Sequence, residues 1–202
     1  MNQSEKRLFL IQSLLNERPS CQKQIIPADS ERQKILLRGL MNVRRPVRIG
    51  ADFLQVQDAY LQDETAAKGI TDIADLTPIQ PGLYLWQGDI TTLKCDAIVN
   101  AANSGMTGCY IPNHRCIDNA IHTFAGVELR LTCEQLMEQQ GYPEPTGQAK
   151  ITPALFPTRG TNNCCAWSSS STAMFCLKKV EAAKMIIAEL IAQPITMDRS
   201  VS

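Results

Sequence analysis

The hydrophobic pattern of this chain changes once, at Thr77-Pro78-Ile79-Gln80-Pro81-Gly82, and that change limits the architectures open to it. Before it, apolar residues recur at helical spacing. Leu8, Ile11, Leu14 and Leu15 mark one face. Ser30 followed by Gln33 fits a capping box ahead of Ile35, Leu36, Leu37, Leu40 and Met41, and Arg45-Pro46 closes that helix. Phe53, Leu54, Val56, Tyr60 and Leu61 indicate a third helix. Amphipathic helices packing on a neighbour account for this segment, which has no catalytic constellation of its own. The Pro/Gly-rich hexapeptide reads as a linker. After it come short apolar runs of strand type, Leu83-Tyr84-Leu85-Trp86 and Cys95-Asp96-Ala97-Ile98-Val99-Asn100. Ile117 to Phe124 and Val127 to about Gln140 follow as helices, separated by Ala125-Gly126. Strands alternating with helices argue for an α/β layer architecture. The expected organisation is a helical extension over residues 1–77 and an α/β unit over 78–202.

Twenty basic and twenty acidic residues cancel in this 202-residue chain, which gives no electrostatic case for nucleic acid or an anionic membrane surface. No apolar run approaches the ~18 residues that a membrane span requires. The N-terminus, Met-Asn-Gln-Ser-Glu-Lys-Arg, leads into a leucine-rich helix without a signal-peptide cleavage pattern. The expected compartment is the cytoplasm, with reduced cysteines.

Among eight cysteines, Cys109 and Cys116 stand out, because His114 lies between them in a Cys-x4-His-x-Cys spacing. Two sulfurs and a nitrogen suit a soft divalent ion such as zinc. Three protein ligands with a vacant fourth position is the habit of catalytic rather than structural zinc. A chance cluster in a cysteine-rich chain is the competing reading. Cys95 and Cys133, in apolar settings, read as small core residues. No Walker run and no Gly-x-Gly-x-x-Gly after a strand is present, so a nucleotide site here needs another loop chemistry. Asn100 and Asn103 end a buried strand, where open α/β sheets place ligands. An amide that both donates and accepts suits ribose hydroxyls. Turn formation explains Asn100 equally well.

Gly88-Asp89-Ile90, then Asp96-Ala97-Ile98-Val99-Asn100-Ala101-Ala102-Asn103, then Ile117-Asp118-Asn119-Ala120-Ile121-His122 resembles the ordered signature of macrodomains, which bind ADP-ribose. The Cys-x4-His-x-Cys insertion resembles their zinc-containing, mostly microbial subclass. Leu37-Arg38-Gly39-Leu40-Met41-Asn42-Val43-Arg44, Gln57-Asp58 and Lys68-Gly69-Ile70-Thr71-Asp72 resemble the N-terminal extension of that subclass. The resemblance implies a three-layer α/β/α sandwich with a mixed sheet. It implies zinc at Cys109, His114 and Cys116, and hydrolytic removal of ADP-ribose from mono-ADP-ribosylated protein. It places Asp89 on the adenine amino group with Ile90 beside it, Asn100 in the pocket and Asn103 on the distal ribose. Asp118 would order a water or the ribose, a role compatible with a helix N-cap. His122 would be a structural partner rather than a base.

The resemblance breaks off after Ala154. Leu155 to Ser171 offers no counterpart of the family's central strand and long helix, so the macrodomain is expected to be incomplete beyond about residue 154. Ser171-Thr172-Ala173-Met174-Phe175 resembles the diphosphate-wrapping loop, with Ala173 where glycine is expected, and Lys178 to Ala183 resembles the last helix. A non-catalytic ADP-ribose-binding module and an inactive shortened relative are the alternative expectations.

Overall fold

The computed structural model describes residues 1–18, 24–95, 97–153, 164–169 and 172–174. Three helices come first: α1 (Gln3–Asn16), α2 (Ser30–Asn42) and α3 (Ala51–Lys68). A capping box opens α1, where Asn2 Oδ1 accepts from the Glu5 N–H and Glu5 answers to the Asn2 N–H. The box expected from Ser30 and Gln33 does not form. Asp29 caps α2 instead, accepting from Arg32 N–H at 2.8 Å, because a carboxylate one residue earlier reaches the open amide. Gln33 turns inward, donating to the Pro27 carbonyl and accepting from Arg7. The apolar faces of the three helices close on one cluster, with Leu10, Ile11, Leu15, Leu37, Phe53 and Leu61 at its centre.

The expected linker is in part a hairpin. Pro78–Gln80 (β2) pairs antiparallel with Leu83–Tyr84 (β3), after β1 (Thr71–Asp72). Pro81-Gly82 lies between the paired residues Gln80 and Leu83, and that dipeptide turns the chain back on itself. β1 runs parallel to β4 (Leu93–Lys94), so the stretch before the hexapeptide and the stretch after it share a ladder.

The central sheet is mixed. β5 (Ala97–Asn100) lies parallel to β7 (Cys164–Ser169), and β6 (Ile151–Thr152) is antiparallel to β7. β8 (Thr172–Met174) folds back antiparallel on β7 and touches β5 at Asn100. The stretch that offered no sequence counterpart of a central strand therefore supplies one at Cys164–Ser169. Helices α4 (Ile117–Ala125) and α5 (Val127–Gln140) carry the second core, in which Ile98, Met106, Ile121, Leu129 and Cys133 are buried. Cys133 is thus a core residue, and Cys95 packs partly buried against the same cluster. The helix expected over Lys178 to Ala183 lies outside the described residues.

Gly126 joins α4 to α5 at φ +80, a conformation that disfavours side chains. A Cβ there would fall 2.3 Å from the Gln57 amide nitrogen. The buried Gln57 of α3 uses this opening to accept the first amide of α5, Val127 N–H, at 2.9 Å. One side chain thereby docks the helical extension onto the α/β unit.

Candidate active site around a cysteine and histidine loop

β5 ends in Asn100, and the chain then runs through a loop of small residues into the segment that carries the three candidate ligands. Asn103 closes the first part of that loop. Its Oδ1 accepts from Gly105 N–H at 2.9 Å and its Nδ2 donates to the Gly108 carbonyl at 3.2 Å. Gly108 has φ +86 and lies against the His122 ring, where a Cβ would come within 2.5 Å. His122 is buried in α4. Burial first, and then the charge of Arg130, hold its ring well below the ordinary histidine pKa, so it is neutral.

Cys109, His114 and Cys116 converge. Cys109 Sγ and His114 Nδ1 lie 3.5 Å apart, and all three donor atoms fall within 4.8 Å of one another. Bond lengths of ~2.3 Å to sulfur and ~2.0 Å to nitrogen place two tetrahedral zinc ligands about 3.6 Å apart. The Cys109–His114 pair already matches that spacing, so this group could hold a metal ion. Cys116 also caps α4, its sulfur accepting from Asn119 N–H at 3.4 Å. The cap is therefore not Asp118. The thiol reaches the open amide first, and Asp118, two residues on, turns its carboxylate inward.

That carboxylate meets Asn100, whose Nδ2 donates to Asp118 Oδ1 at 2.8 Å, with both side chains buried. Burial pushes the Asp118 carboxyl up to about 6, against the lowering pull of the Asn100 amide, Arg130 and the Cys109 backbone N–H. His122 Nε2 stands 3.6 Å from the same oxygen. Asp89 sits at the other end of the region. It caps the 3-10 turn Ile90–Thr92 through Thr91 and pairs with Lys68 Nζ at 2.8 Å. Burial alone would raise its carboxyl, but the Lys68 and Thr91 bonds outweigh that and hold it below the usual carboxylate range. Lys68 also lies over the Phe124 ring, 3.4 Å from its centroid. Ile90 packs partly buried against the α4–α5 core.

Residues 99–186 match the family described as Macro domain, a stretch that begins in β5 and contains the whole ligand loop. Residues 99–186 are identified by this match as macrodomain sequence. It is 58% identical over 159 residues to a protein-ADP-ribose hydrolase of Treponema medium, covering 77% of this chain and 61% of that protein. It is 48% identical over 145 residues to a protein-ADP-ribose hydrolase of Staphylococcus aureus (strain MRSA252), covering 71% and 54%. A probable bifunctional ADP-ribose hydrolase/ADP-ribosyltransferase of Fusarium oxysporum f. sp. cubense is 42% identical over 128 residues, covering 58% and 21%. The chain thus spans between half and two thirds of the length of the first two relatives.

Within this macrodomain, the residues singled out from sequence do not all fall on described positions. Thr172, Ala173 and Met174 form β8, whereas Ser171 and Phe175 lie outside the described residues. Among the described residues, no helix is long and apolar enough to cross a membrane. Sequence reading missed Arg130 altogether. Its guanidinium donates to the carbonyls of Thr107 (2.7 Å), Asn42 (2.6 Å) and Arg44 (2.7 Å), and reaches Met41 and Cys109 at longer range. Its face stacks on Tyr110 at 4.2 Å. The available signal was its spacing, three residues after Val127 and three before Cys133 in a row that is otherwise apolar.

Proposed function

We propose that this macrodomain is a zinc-dependent hydrolase that removes ADP-ribose from mono-ADP-ribosylated protein. The observation that carries the reading is the convergence of Cys109, His114 and Cys116 beside the buried Asn100–Asp118 pair. The likeness to curated protein-ADP-ribose hydrolases supports it. In this reading Cys109 and Cys116, as thiolates, and His114 hold zinc. A zinc ion bound there supplies Lewis-acid polarisation of an oxygen ligand.

The chain's own residues do the rest. Asn103, on the exposed loop before the ligands, holds the distal ribose. Asp118, one oxygen fixed by Asn100, accepts from a water or a ribose hydroxyl. Asp89 accepts from the adenine amino group, with Ile90 as an apolar contact, and the segment Ser171, Thr172, Ala173, Met174 and Phe175 contacts the diphosphate. Hydrolysis breaks the bond between the distal ribose and the protein side chain. The water oxygen ends on the ribose and its proton on the released side chain.

The test is release of ADP-ribose from a mono-ADP-ribosylated protein by the purified, zinc-loaded chain. Release is expected, together with its loss in Cys109→Ala and on chelation. Release indifferent to both would remove zinc from the reading. A second reading, an ADP-ribose-binding module without catalysis, is favoured by one observation. Residues 172–174 run as an extended strand paired to β7, where a wrapping loop was expected. Saturable ADP-ribose binding in calorimetry without turnover would select it.

A further inference from the structure

The helical extension carries a motif for which catalysis gives no reason, Arg38-Gly39-Leu40-Met41-Asn42 on α2. Its polar members face the ligand loop. Arg38 donates through Nε and a terminal nitrogen to Asn119 Oδ1 (3.2 and 2.9 Å), and through that terminal nitrogen to the His114 carbonyl (3.1 Å). Asn119 is itself fully buried. Its backbone N–H goes to Cys116 Sγ and its Nδ2 to the Ile111 carbonyl at 3.1 Å. One guanidinium therefore reaches the ligand His114 directly and the ligand Cys116 through a single intermediary.

Asn42, one turn on, is buried and accepts Asn113 N–H at 3.0 Å while donating to Thr123 Oγ1. Asn113 is at φ +54, a left-handed conformation that asparagine adopts more readily than most residues, and the Asn42 bond ties its N–H to α2 immediately before His114. Gly39 leaves room for it, since a Cβ there would lie 3.0 Å from Asn113 Nδ2 and 3.8 Å from Pro112 Cβ.

We infer that Arg38, with Gly39 and Asn42, positions the Cys109–His114–Cys116 loop, so that the helical extension sets the affinity of the metal centre. The inference rests on the proposed metal reading. Ligand orientation in metal sites is fixed by such outer partners, and their loss typically costs on the order of 10–100-fold in affinity. Arg38 and Asn42 are positioning residues, since neither touches the ion.

The experiment measures zinc affinity of the full chain by competition with a chromophoric chelator, without substrate, and records the spectrum of the cobalt-substituted protein. Arg38→Ala is expected to bind zinc at least about tenfold more weakly and to shift the cobalt bands. Arg38→Lys should recover only part of the affinity, because an ammonium lacks the planar fork that serves both acceptors. Gly39→Ala separates positioning from folding. It raises helix propensity, so metal-free thermal stability is kept while zinc affinity falls. Lys34→Ala, on the same helix but paired with Glu31 and Glu64, should match the wild type.

A wild-type chain that binds no zinc would sink the metal reading. Wild-type binding with Arg38→Ala within twofold would overturn this inference alone, as would equal losses in Lys34→Ala. Should Arg38→Ala fail to fold, Arg38→Lys decides by itself, and wild-type zinc affinity there counts against positioning by the guanidinium.

Discussion

The side-chain amide of Asn100 donates to the carboxylate of Asp118 across 2.8 Å, joining the end of β5 to the first turn of α4. Both groups are buried, so neither has water as a substitute partner. Asn100→Ala should therefore cost about 1–3 kcal/mol, the usual penalty for leaving a buried polar group without its bond. Asn100→Asp should cost more, because two carboxylates would then share one dry site. Urea denaturation midpoints at a constant slope measure both. An Asn100→Ala protein as stable as the wild type would mean that the pair contributes nothing.

Much of the α/β frame was legible because the signals are local. The helical stretches expected from Ile117 and over Val127 to Gln140, parted at Ala125-Gly126, are α4 and α5. The three candidate ligands were legible too, since they lie within eight residues. What the sequence hid is long-range. Arg130 joins carbonyls from two segments more than eighty and about twenty residues before it, and backbone carbonyls leave no trace in side-chain pattern. The cap of α2 was misplaced by one residue because Asp29 and Ser30 are both good caps, and only geometry chooses between them. The Pro/Gly hexapeptide looked like a linker because a two-stranded hairpin with exposed faces has no apolar alternation to betray it.

Arg130 ties the C-terminal end of α2 to the start of the ligand loop. Its removal strands the carbonyls of Asn42, Arg44 and Thr107 together. Arg130→Met, which keeps the bulk, should destabilise by at least about 3 kcal/mol, judged from about 1–3 kcal/mol for each unsatisfied buried group. Arg130→Lys should restore a minor share, since one ammonium cannot span the acceptors. Thermal melts of the metal-free proteins test this. A fully restored Lys variant would show that charge alone, and not the fork, holds the segments together.

Gly108→Ala meets two obstacles at once. The backbone is at φ +86, and the added methyl would fall 2.5 Å from the His122 ring. The ring is buried, so its displacement disturbs the packing around it. A loss of about 2 kcal/mol or more is expected, in line with overpacking of 1–3 kcal/mol added to backbone strain. NMR of the His122 ring should report the displacement. An unshifted ring with an unchanged melting temperature would contradict this packing.

Alkaline stability should depend on Tyr60 of α3. Burial, then the nearby charge of Glu64, push its hydroxyl up to about 12, and the bond to Arg7 offsets only part of that. The folded chain thus holds the phenolic proton more tightly than the unfolded chain does. A raised pKa gives stability that is fully present below the unfolded value, about 10, and is lost as pH rises towards the folded one. Tyr60→Phe removes the titration while keeping the ring. Near neutral pH it should be the less stable protein by about 1 kcal/mol, the worth of one hydrogen bond. Between about pH 10 and 12 the wild type should lose stability more steeply than the variant, and the gap should close. Lysines titrate in the same range, but equally in both proteins, so the difference isolates Tyr60. Urea midpoints followed in parallel across that range decide the matter, and curves that stay parallel would show that the hydroxyl ionises as freely in the fold as outside it.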